Sequence, residues 1–306
     1  MAIAYAGVLK DLGEQITVVG RGQASAQVFE EQTGIKPIQG GIDQYIAENQ
    51  IAAGTQAIIA TSIESLMSTL QLLLNAGIRK ILIEKPAAIS IQQLLENEQA
   101  ISGFGADIYL AYNRRFYASV LEAEKLIQED GGLQTMHFEF TEWAHRVEPL
   151  PKAEGVKENW FFNNSTHIVD LAFFLAGKPA DWRAYARKGQ ISWHPVSNFS
   201  GAGVTDKGVL FSYLSNWESA GRWAIELLTI NRRIYLKPLE GIMVQQKGSI
   251  AIEEHQFDDT LDKKYKPGLF NQVEAFLKND TTRLINFESH VASAREIYSK
   301  MLLADS

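Results

Sequence analysis

A charged pair followed by a proline, Glu84-Lys85-Pro86, comes directly after the apolar run of residues 81–83. Short continuous apolar runs are typical of strands buried in a parallel sheet. In doubly wound sheets, ligands bind beyond the carboxyl ends of the strands, so Glu84 and Lys85 are expected to point into a ligand crevice. Taken alone, the triplet fits equally well a surface ion pair at a strand end.

A histidine that could carry protons, His167, lies in a stretch with helical periodicity that runs from Asn163 to Leu175. At helical spacing Asn163, His167 and Asp170 share one face, and the apolar residues form another. The pattern predicts that His167 is presented to a ligand rather than packed, and imidazole titrates near neutral pH. The alternative is a histidine satisfied by Asp170, three residues further on.

A third candidate is Gly20-Arg21-Gly22, which follows the apolar run of residues 16–19. Dinucleotide-binding folds that are specific for NAD carry an acidic residue at this place, where it binds the ribose 2′-hydroxyl. Arginine suits a 2′-phosphate instead, which favours NADP over NAD as the cofactor. The alternative is that Arg21 is a solvated loop cation.

The elements that must position these residues alternate along the first part of the chain. Helical stretches separate short apolar runs at residues 16–19, 57–60, 81–83 and 108–111. The clearest helix has leucines at positions 66, 70, 73 and 74, and Gly77 provides its stop signal. This βα alternation predicts a Rossmann-like, doubly wound parallel sheet.

After about residue 120 the hydrophobic pattern changes to that of strands with one solvent-exposed face. Met136, Phe138 and Phe140 alternate with polar residues, and further strands are predicted over residues 209–217, 223–230 and 233–236. Helices over residues 270–277 and 289–303 close the chain. We expect an α/β protein with a dinucleotide-binding domain over residues 1–118. Residues 119–306 are expected to form an α+β domain, built on an open, mostly antiparallel sheet, for substrate binding and oligomerisation.

The composition narrows the classes of partner. A formal net charge of −7 disfavours nucleic acid, which is normally met by a basic surface. The absence of cysteine excludes disulfides, thiolate metal sites and thiol nucleophiles, and it fits a reducing compartment. The N-terminal segment is too short and too polar for a signal peptide or a membrane span. We therefore expect a cytoplasmic protein without a membrane partner.

Two further groups of residues carry weaker signals. Residues 253–259 are rich in acidic side chains around His255, but they lack paired histidine spacing, so we predict a solvated loop and no metal. The indoles at positions 143, 160, 217 and 223 could stack on a sugar. Tryptophans in a strand-rich region are more often part of a core or a subunit interface.

The motifs together resemble the glucose-fructose oxidoreductase and inositol dehydrogenase (Gfo/Idh/MocA) family. The resemblance rests on Glu84-Lys85-Pro86, on residues 111–116 (Ala-Tyr-Asn-Arg-Arg-Phe), on the helix of residues 163–177 and on the closing segment of residues 268–301. It therefore spans nearly the whole chain.

The resemblance implies roles for individual residues. Lys85 is expected to contact the substrate hydroxyl near the nicotinamide and to exchange a proton with it. Glu84 is expected to help hold the cofactor ribose and ring. Asn113 would approach the nicotinamide edge, and Tyr112 and Arg114 would position the substrate. The cofactor would also be bound around Gly20, Thr61, Ser62 and Pro86.

One position departs from the family pattern. The family has aspartate four residues before the histidine, and the pair serves as the acid/base couple, whereas this chain has Asn163. An amide can orient an imidazole but cannot stabilise its charged form, so proton transfer would rest on His167 and Lys85, with Asp170 as a possible substitute.

The resemblance implies hydride transfer at a secondary hydroxyl or ketone of a sugar or nucleotide-linked sugar, by a homodimer or homotetramer. The alternative is a non-catalytic protein of the same fold that binds a sugar or nucleotide. We also expect a strand and a Gly-x-Gly turn to precede Met1, because residues 1–13 read as the helix that follows such a turn.

Overall fold

A computed structural model describes residues 1–303. The helices, in chain order, are α1 (Ala2–Asp11), α2 (Gln23–Thr33), α3 (Gly41–Glu48), α4 (Leu66–Asn75), α5 (Ile91–Ser102), α6 (Ala118–Glu129), α7 (Ala144–Val147), α8 (Thr166–Ala176), α9 (Thr260–Lys264), α10 (Leu269–Lys278), α11 (Phe287–Ser293) and α12 (Ser299–Leu302). The strands are β1 (Gln56–Ile59), β2 (Lys80–Ile83), β3 (Asp107–Leu110), β4 (Thr135–Glu139), β5 (Pro179–Arg187), β6 (Asn198–Thr205), β7 (Leu210–Asn216), β8 (Ala224–Leu228), β9 (Arg232–Leu236), β10 (Met243–Gln246), β11 (Glu253–Glu254) and β12 (Ile285–Asn286). Short π-helical segments, Phe161–Ser165 and Ala294–Tyr298, precede α8 and α12.

The first compact unit contains a sheet in the order β1-β2-β3-β12 and consists of Met1–Tyr112 together with Lys264–Val291. Strands β1, β2 and β3 are parallel, and β12 runs antiparallel at the end beside β3. The run of residues 81–83 is fully buried, as expected for a central parallel strand. The predicted Rossmann-like parallel sheet is confirmed.

Helix α4 forms where leucine spacing predicted it. Leu66, Leu70 and Leu74 are fully buried and Leu73 is nearly so, which gives the helix one continuous apolar face. Gly77 adopts a φ of 89° just beyond the helix, a left-handed conformation that glycine enters without a steric penalty.

The prediction of a sheet strand over residues 16–19 was wrong. Within the described chain, Val19 forms an isolated parallel bridge with Ile38, and the backbone N–H of Ile38 donates to the carbonyl of Val18. Ile16, Val18 and Val19 remain partly exposed. An apolar run indicates a buried strand only where a partner strand covers it, and these residues pair with a single short segment.

The second compact unit is built on a sheet in the order β11-β10-β9-β8-β4-β7-β6-β5, in which only the β4–β7 pair among the described strands is parallel. Met136 and Phe138 in β4 are fully buried between half-buried neighbours, which confirms the predicted alternation. Helix α8 covers this face, and the rings of Phe173 and Phe138 meet edge to face with centroids 5.6 Å apart. The predicted antiparallel-rich sheet is confirmed.

The compact units divide the chain differently from the expected boundary at residue 118. The N-terminal segment of the first unit ends at Tyr112, and the described residues of the second unit are Asn113–Lys263 and residues 292–303. The chain returns to the first unit because β12 pairs with β3, with Ile285 opposite Leu110. A two-residue strand of this kind carries no periodic sequence signal. Residues 304–306, at the end of the second expected domain, lie outside the described residues.

Among the helices of residues 1–303, none combines the length and the apolar character that crossing a bilayer requires.

Candidate functional site

In the first unit, the candidate residues that follow strands β1, β2 and β3 lie at one edge of the sheet. The backbone N–H of Glu84 donates to the carbonyl of Ile59 at 2.9 Å, and the N–H of Ala111 donates to the carbonyl of Ile83 at 2.8 Å. The three strands therefore end in register. The strand-end cluster so formed comprises the exposed Thr61 and Ser62, the turn of residues 84–86, and the buried Tyr112.

Glu84 is held by a residue that the sequence did not single out. The hydroxyl of Tyr5, in α1, donates to Oε1 of Glu84 at 2.9 Å. Burial raises the pKa of Glu84, against the opposing effects of the hydrogen bond from Tyr5 and the charge of Lys85. Burial and the neighbouring carboxylate likewise raise the pKa of Tyr5 well above its ordinary value.

The turn after Glu84 brings Lys85 into a largely buried position, with 8% of the residue exposed. The Lys85–Pro86 peptide is cis, and Ala87 follows at a φ of 67°. Nε2 of His290 donates to the carbonyl of Pro86 at 3.1 Å. His290 is fully buried in α11, 204 residues along the chain, so sequence spacing gave no sign of this contact.

The Arg21 loop lies before α2, with Gly22 at the cap of that helix. The Arg21 side chain is 74% exposed, and its guanidinium lies 3.6 Å from the carboxylate of Asp43. A Cβ at Gly41 would come within 3.1 Å of Nε of Arg21, so glycine at that position keeps space for the guanidinium. An exposed cation beside a helix N-terminus is chemically suited to a phosphate.

In the second unit, the expectation that His167 is presented on an open helix face was wrong. His167 is 8% exposed and Asp170 is 6% exposed, because α8 is buried on nearly all sides. The imidazole lies beside the indole of Trp223, with ring centroids 6.2 Å apart. His167 therefore occupies an enclosed position beside an indole.

Asn163 is not part of the α-helix that carries His167. It lies in the π-helical segment Phe161–Ser165, and its Nδ2 donates to the carbonyl of Val156 at 3.0 Å. The amide is thus partly engaged with the backbone, and the α-helix begins at Thr166. The predicted helical stretch is therefore helical throughout, with a π-helical turn at its start in place of an α-helical one.

Asp170 is bound by Arg115. Arg115 had no expected role from the sequence, although the adjacent Arg114 was a candidate for substrate binding. Nε of Arg115 donates to Oδ2 at 2.8 Å and Nη2 donates to Oδ1 at 2.6 Å. The two side chains are only 12% and 4% exposed. This bidentate pair gives Asp170 a charged partner that is not part of the predicted site.

Glu142 is a second buried carboxylate that the sequence did not single out. It is 2% exposed, and its Oε1 accepts hydrogen bonds from Nδ2 of Asn164 at 2.9 Å and Oγ of Ser165 at 2.8 Å. Burial raises its pKa, against the opposing effect of these hydrogen bonds. Glu142 therefore anchors the π-helical segment to the end of β4.

Arg114 and Asn113 lie in the short helical turn Asn113–Phe116. The Arg114 guanidinium stacks over the indole of Trp223 at 4.6 Å, and burial lowers its pKa. Asn113 is 4% exposed and hydrogen-bonds the side chain of Tyr117.

Among residues 1–303, no three His, Asp or Glu side chains are grouped so as to hold a metal ion. The acidic stretch around His255 lies in part on β11, and Nε2 of His255 contacts Oε1 of Glu122 at 2.8 Å.

Known structures share the fold of this chain along nearly its whole length. A putative NADPH-dependent oxidoreductase from Desulfitobacterium hafniense matches with a TM-score of 0.76 at 12% identity, over 98% of this chain and 91% of the other. An inositol dehydrogenase homologue from Azotobacter vinelandii, solved with NAD+, matches with a TM-score of 0.73 at 14% identity, over 99% and 91%. A UDP-N-acetylglucosamine 3-dehydrogenase from Acidithiobacillus ferrooxidans matches with a TM-score of 0.69 at 12% identity, over 98% and 94%.

No protein-family model matches the chain, and no curated protein is similar to it in sequence. At identities of 12–14% the structural likeness concerns the fold, which is a Rossmann-like parallel sheet joined to a mostly antiparallel sheet.

Proposed function

We propose that this chain is a nicotinamide-dinucleotide-dependent oxidoreductase of the Gfo/Idh/MocA type. It would transfer hydride at a secondary hydroxyl or ketone of a sugar or nucleotide-linked sugar. The observation that carries the proposal is the strand-end cluster, because dinucleotides bind at this edge of doubly wound sheets. The fold of the three similar structures, whose names include oxidoreductases or dehydrogenases, supports it.

When bound, the cofactor would accept or supply the hydride at its nicotinamide ring. Lys85, at the end of β2, would hold or release the hydroxyl proton at Nζ. The partly buried carboxylate of Glu84, hydrogen-bonded by Tyr5, would orient the cofactor ribose. In the second unit, His167 would serve proton transfer from its enclosed position on α8.

NADP is proposed over NAD on the basis of Arg21. Its ion pair with Asp43 is highly exposed, and exposed pairs contribute only about 0–1 kcal/mol, so a phosphate could displace the carboxylate at little cost. We further propose that the enzyme works as a homodimer or homotetramer in the cytoplasm.

The second candidate function is a non-catalytic sugar- or nucleotide-binding protein. Asn163 favours it, because this amide is engaged with the carbonyl of Val156 and cannot stabilise an imidazolium charge. Turnover distinguishes the two candidates.

The experiment follows the nicotinamide absorbance of the purified chain with NADP or NADPH against a panel of sugars and nucleotide sugars. Lys85→Ala and His167→Ala should each lower turnover about 100-fold or more, as expected for the loss of a group that transfers protons. Lys10→Ala and His145→Ala, both exposed, serve as matched controls and should retain activity. Near-normal rates in both test variants would contradict the assignment, and sugar binding without turnover would favour the second candidate.

A further inference from the structure

Two arginines and two tryptophans of the second unit form a layered group that we call the arginine–tryptophan cluster: Arg114, Trp143, Arg222 and Trp223. The guanidinium of Arg222 lies between two indoles, 5.0 Å from the centroid of Trp143 and 5.1 Å from that of Trp223. Arg114 covers Trp223 at 4.6 Å. The layers therefore run in the order Trp143, Arg222, Trp223, Arg114.

The sheet explains why residues so far apart in sequence meet here. Strands β4 and β8 are antiparallel neighbours, with Glu139 opposite Ala224, so the chain leaving β4 runs beside the chain entering β8. Trp143 lies on the first of these segments, and its Nε1 donates to the carbonyl of Gly221 at 2.8 Å on the second. A Cβ at Gly221 would lie 3.1 Å from Cβ of Thr141 and would also displace the carboxylate of Glu139, so glycine keeps this approach free of crowding.

Two N–H donors inside the cluster lack an acceptor. Nε of Arg114 and Nε1 of Trp223 are buried, and neither finds a hydrogen-bond partner within residues 1–303. Buried N–H groups are nearly always paired, because a buried donor without an acceptor destabilises the folded chain. Two such donors side by side indicate an oxygen acceptor supplied from outside the described residues.

Charge and exposure indicate what kind of acceptor it is. Arg222 is 49% exposed, and its charged neighbour is Oε2 of Glu142 at 3.6 Å. The other oxygen of Glu142 is occupied by Asn164 and Ser165, so this carboxylate is committed to the π-helical segment. Trp143 is 44% exposed, which offers an aromatic edge beside the accessible guanidinium.

We propose that the arginine–tryptophan cluster binds a negatively charged oxygen group, carboxylate or phosphate, of an acidic sugar substrate. Arginine forks match the planar or trigonal oxygens of such groups with paired, charge-assisted hydrogen bonds. The indole beside Arg222 suits the apolar face of a sugar ring. The cluster adjoins His167 through Trp223, which places the anionic group of the substrate next to a residue proposed to transfer protons.

This inference rests on the proposed function for the identity of the ligand as the substrate. It goes further by assigning the substrate a negative charge and by assigning Trp143 and Arg222 a part in specificity.

The test measures the binding of glucuronate, glucose 6-phosphate and glucose to the full chain by calorimetry. In the wild type, at least one acidic probe should bind about tenfold or more tightly than glucose, the ratio expected for one charge-assisted contact. Glucuronate and glucose 6-phosphate separate the carboxylate source from the phosphate source. Equal binding of glucose, or no binding of either acidic probe, overturns the proposal.

Arg222→Gln should abolish the preference for the acidic probe and leave glucose binding unchanged. Arg222→Lys should recover only part of it, because an ammonium group lacks the planar fork. Arg233→Gln is the matched control, since Arg233 also stacks on an aromatic ring, that of Tyr235 at 5.3 Å, and should leave all three affinities unchanged. Equal weakening of acidic and neutral probes by Arg222→Gln overturns the proposal.

Binding of NADPH, measured on the same samples, separates this inference from the proposed function. If the chain binds NADPH but shows no preference for acidic probes, the anion site is refuted and the proposed function stands. If the chain prefers acidic probes through Arg222 but binds no NADPH, the proposed function is refuted and the anion site stands.

Discussion

The phenol of Tyr5 donates a 2.9 Å hydrogen bond to the carboxylate of Glu84, which joins α1 to the end of β2. Tyr5 is 3% exposed, so the carboxylate has a partner that solvent hardly reaches. The residue proposed to hold the cofactor ribose is therefore positioned from a helix 79 residues earlier in the chain.

Tyr5→Phe removes this hydrogen bond while keeping the ring. We expect the free energy of unfolding to fall by about 1–3 kcal/mol, because the variant leaves a partly buried carboxylate oxygen without its donor. Urea denaturation followed by circular dichroism measures the change. Tyr185→Phe, at a 59% exposed position, is the control and should stay within about 0.5 kcal/mol of the wild type. Equal stability of the two variants would show that the Tyr5 contact contributes nothing.

Asp170→Asn tests whether Asp170 supports the structure through Arg115. Removing one charge of a buried pair leaves the other uncompensated, so a loss of about 3–5 kcal/mol in unfolding free energy is expected. The exposed pair of Arg183 and Asp181, 3.8 Å apart, provides the control, since Asp181→Asn should cost no more than about 1 kcal/mol. A loss no larger than that of the control would contradict the structural role.

His194 should make stability depend on pH in mildly acidic solution. It is 3% exposed beside Trp217, with ring centroids 4.7 Å apart, and burial lowers its pKa from 6.5 to about 4. The unfolded chain therefore binds the proton more tightly, so this histidine lowers stability as the pH falls from about 6.5 to about 4. The full effect is about 3 kcal/mol.

The measurement compares unfolding free energies of the wild type and His194→Gln across that pH range. The difference in slope between the two proteins isolates His194 from other titrating groups. His145→Gln, at an exposed position, should keep the slope of the wild type. Identical slopes for the wild type and His194→Gln would rule out the buried neutral imidazole.

Arg21→Ala tests the choice of cofactor. Loss of a charge-assisted contact to the 2′-phosphate should weaken NADP binding about tenfold or more and leave NAD binding nearly unchanged. Fluorescence titration with NADPH and NADH measures both affinities. Equal weakening of the two cofactors would assign Arg21 a structural role instead.

Much of the first unit could be predicted because its signals are local. The apolar run of residues 81–83 and the leucines of α4 fix the type and position of their elements. The run of residues 16–19 was wrongly predicted to be a sheet strand, because an apolar pattern does not specify which segment will pair with it. The pairing of β12 with β3 depends on two residues, Ile285 and Asn286, that lie 175 and 177 positions after their partners Leu110 and Tyr109, and no sequence periodicity predicts such contacts.

Among the candidate site residues, too, those that depend on local signals could be predicted and those that depend on distant contacts could not. Lys85 and Glu84 follow a strand end and could be placed by topology alone. Tyr5, His290 and Arg115 act through contacts between distant elements, which residue spacing does not encode. The burial of His167 was missed because helical spacing reports which residues share a face, whereas the packing around α8 encloses nearly all of its faces.

Binding of the reduced cofactor to the full chain is the decisive test of the proposed dependence on a nicotinamide dinucleotide. Tryptophan fluorescence should transfer to nicotinamide emission as NADPH is added, and the signal should saturate with a dissociation constant in the micromolar range, about −8 kcal/mol. NADPH should also raise the melting temperature, because a ligand of the native state stabilises it. We predict saturable NADPH binding that is tighter than NADH binding. Absence of saturable binding for both dinucleotides would contradict the assignment of this chain as a nicotinamide-dependent oxidoreductase.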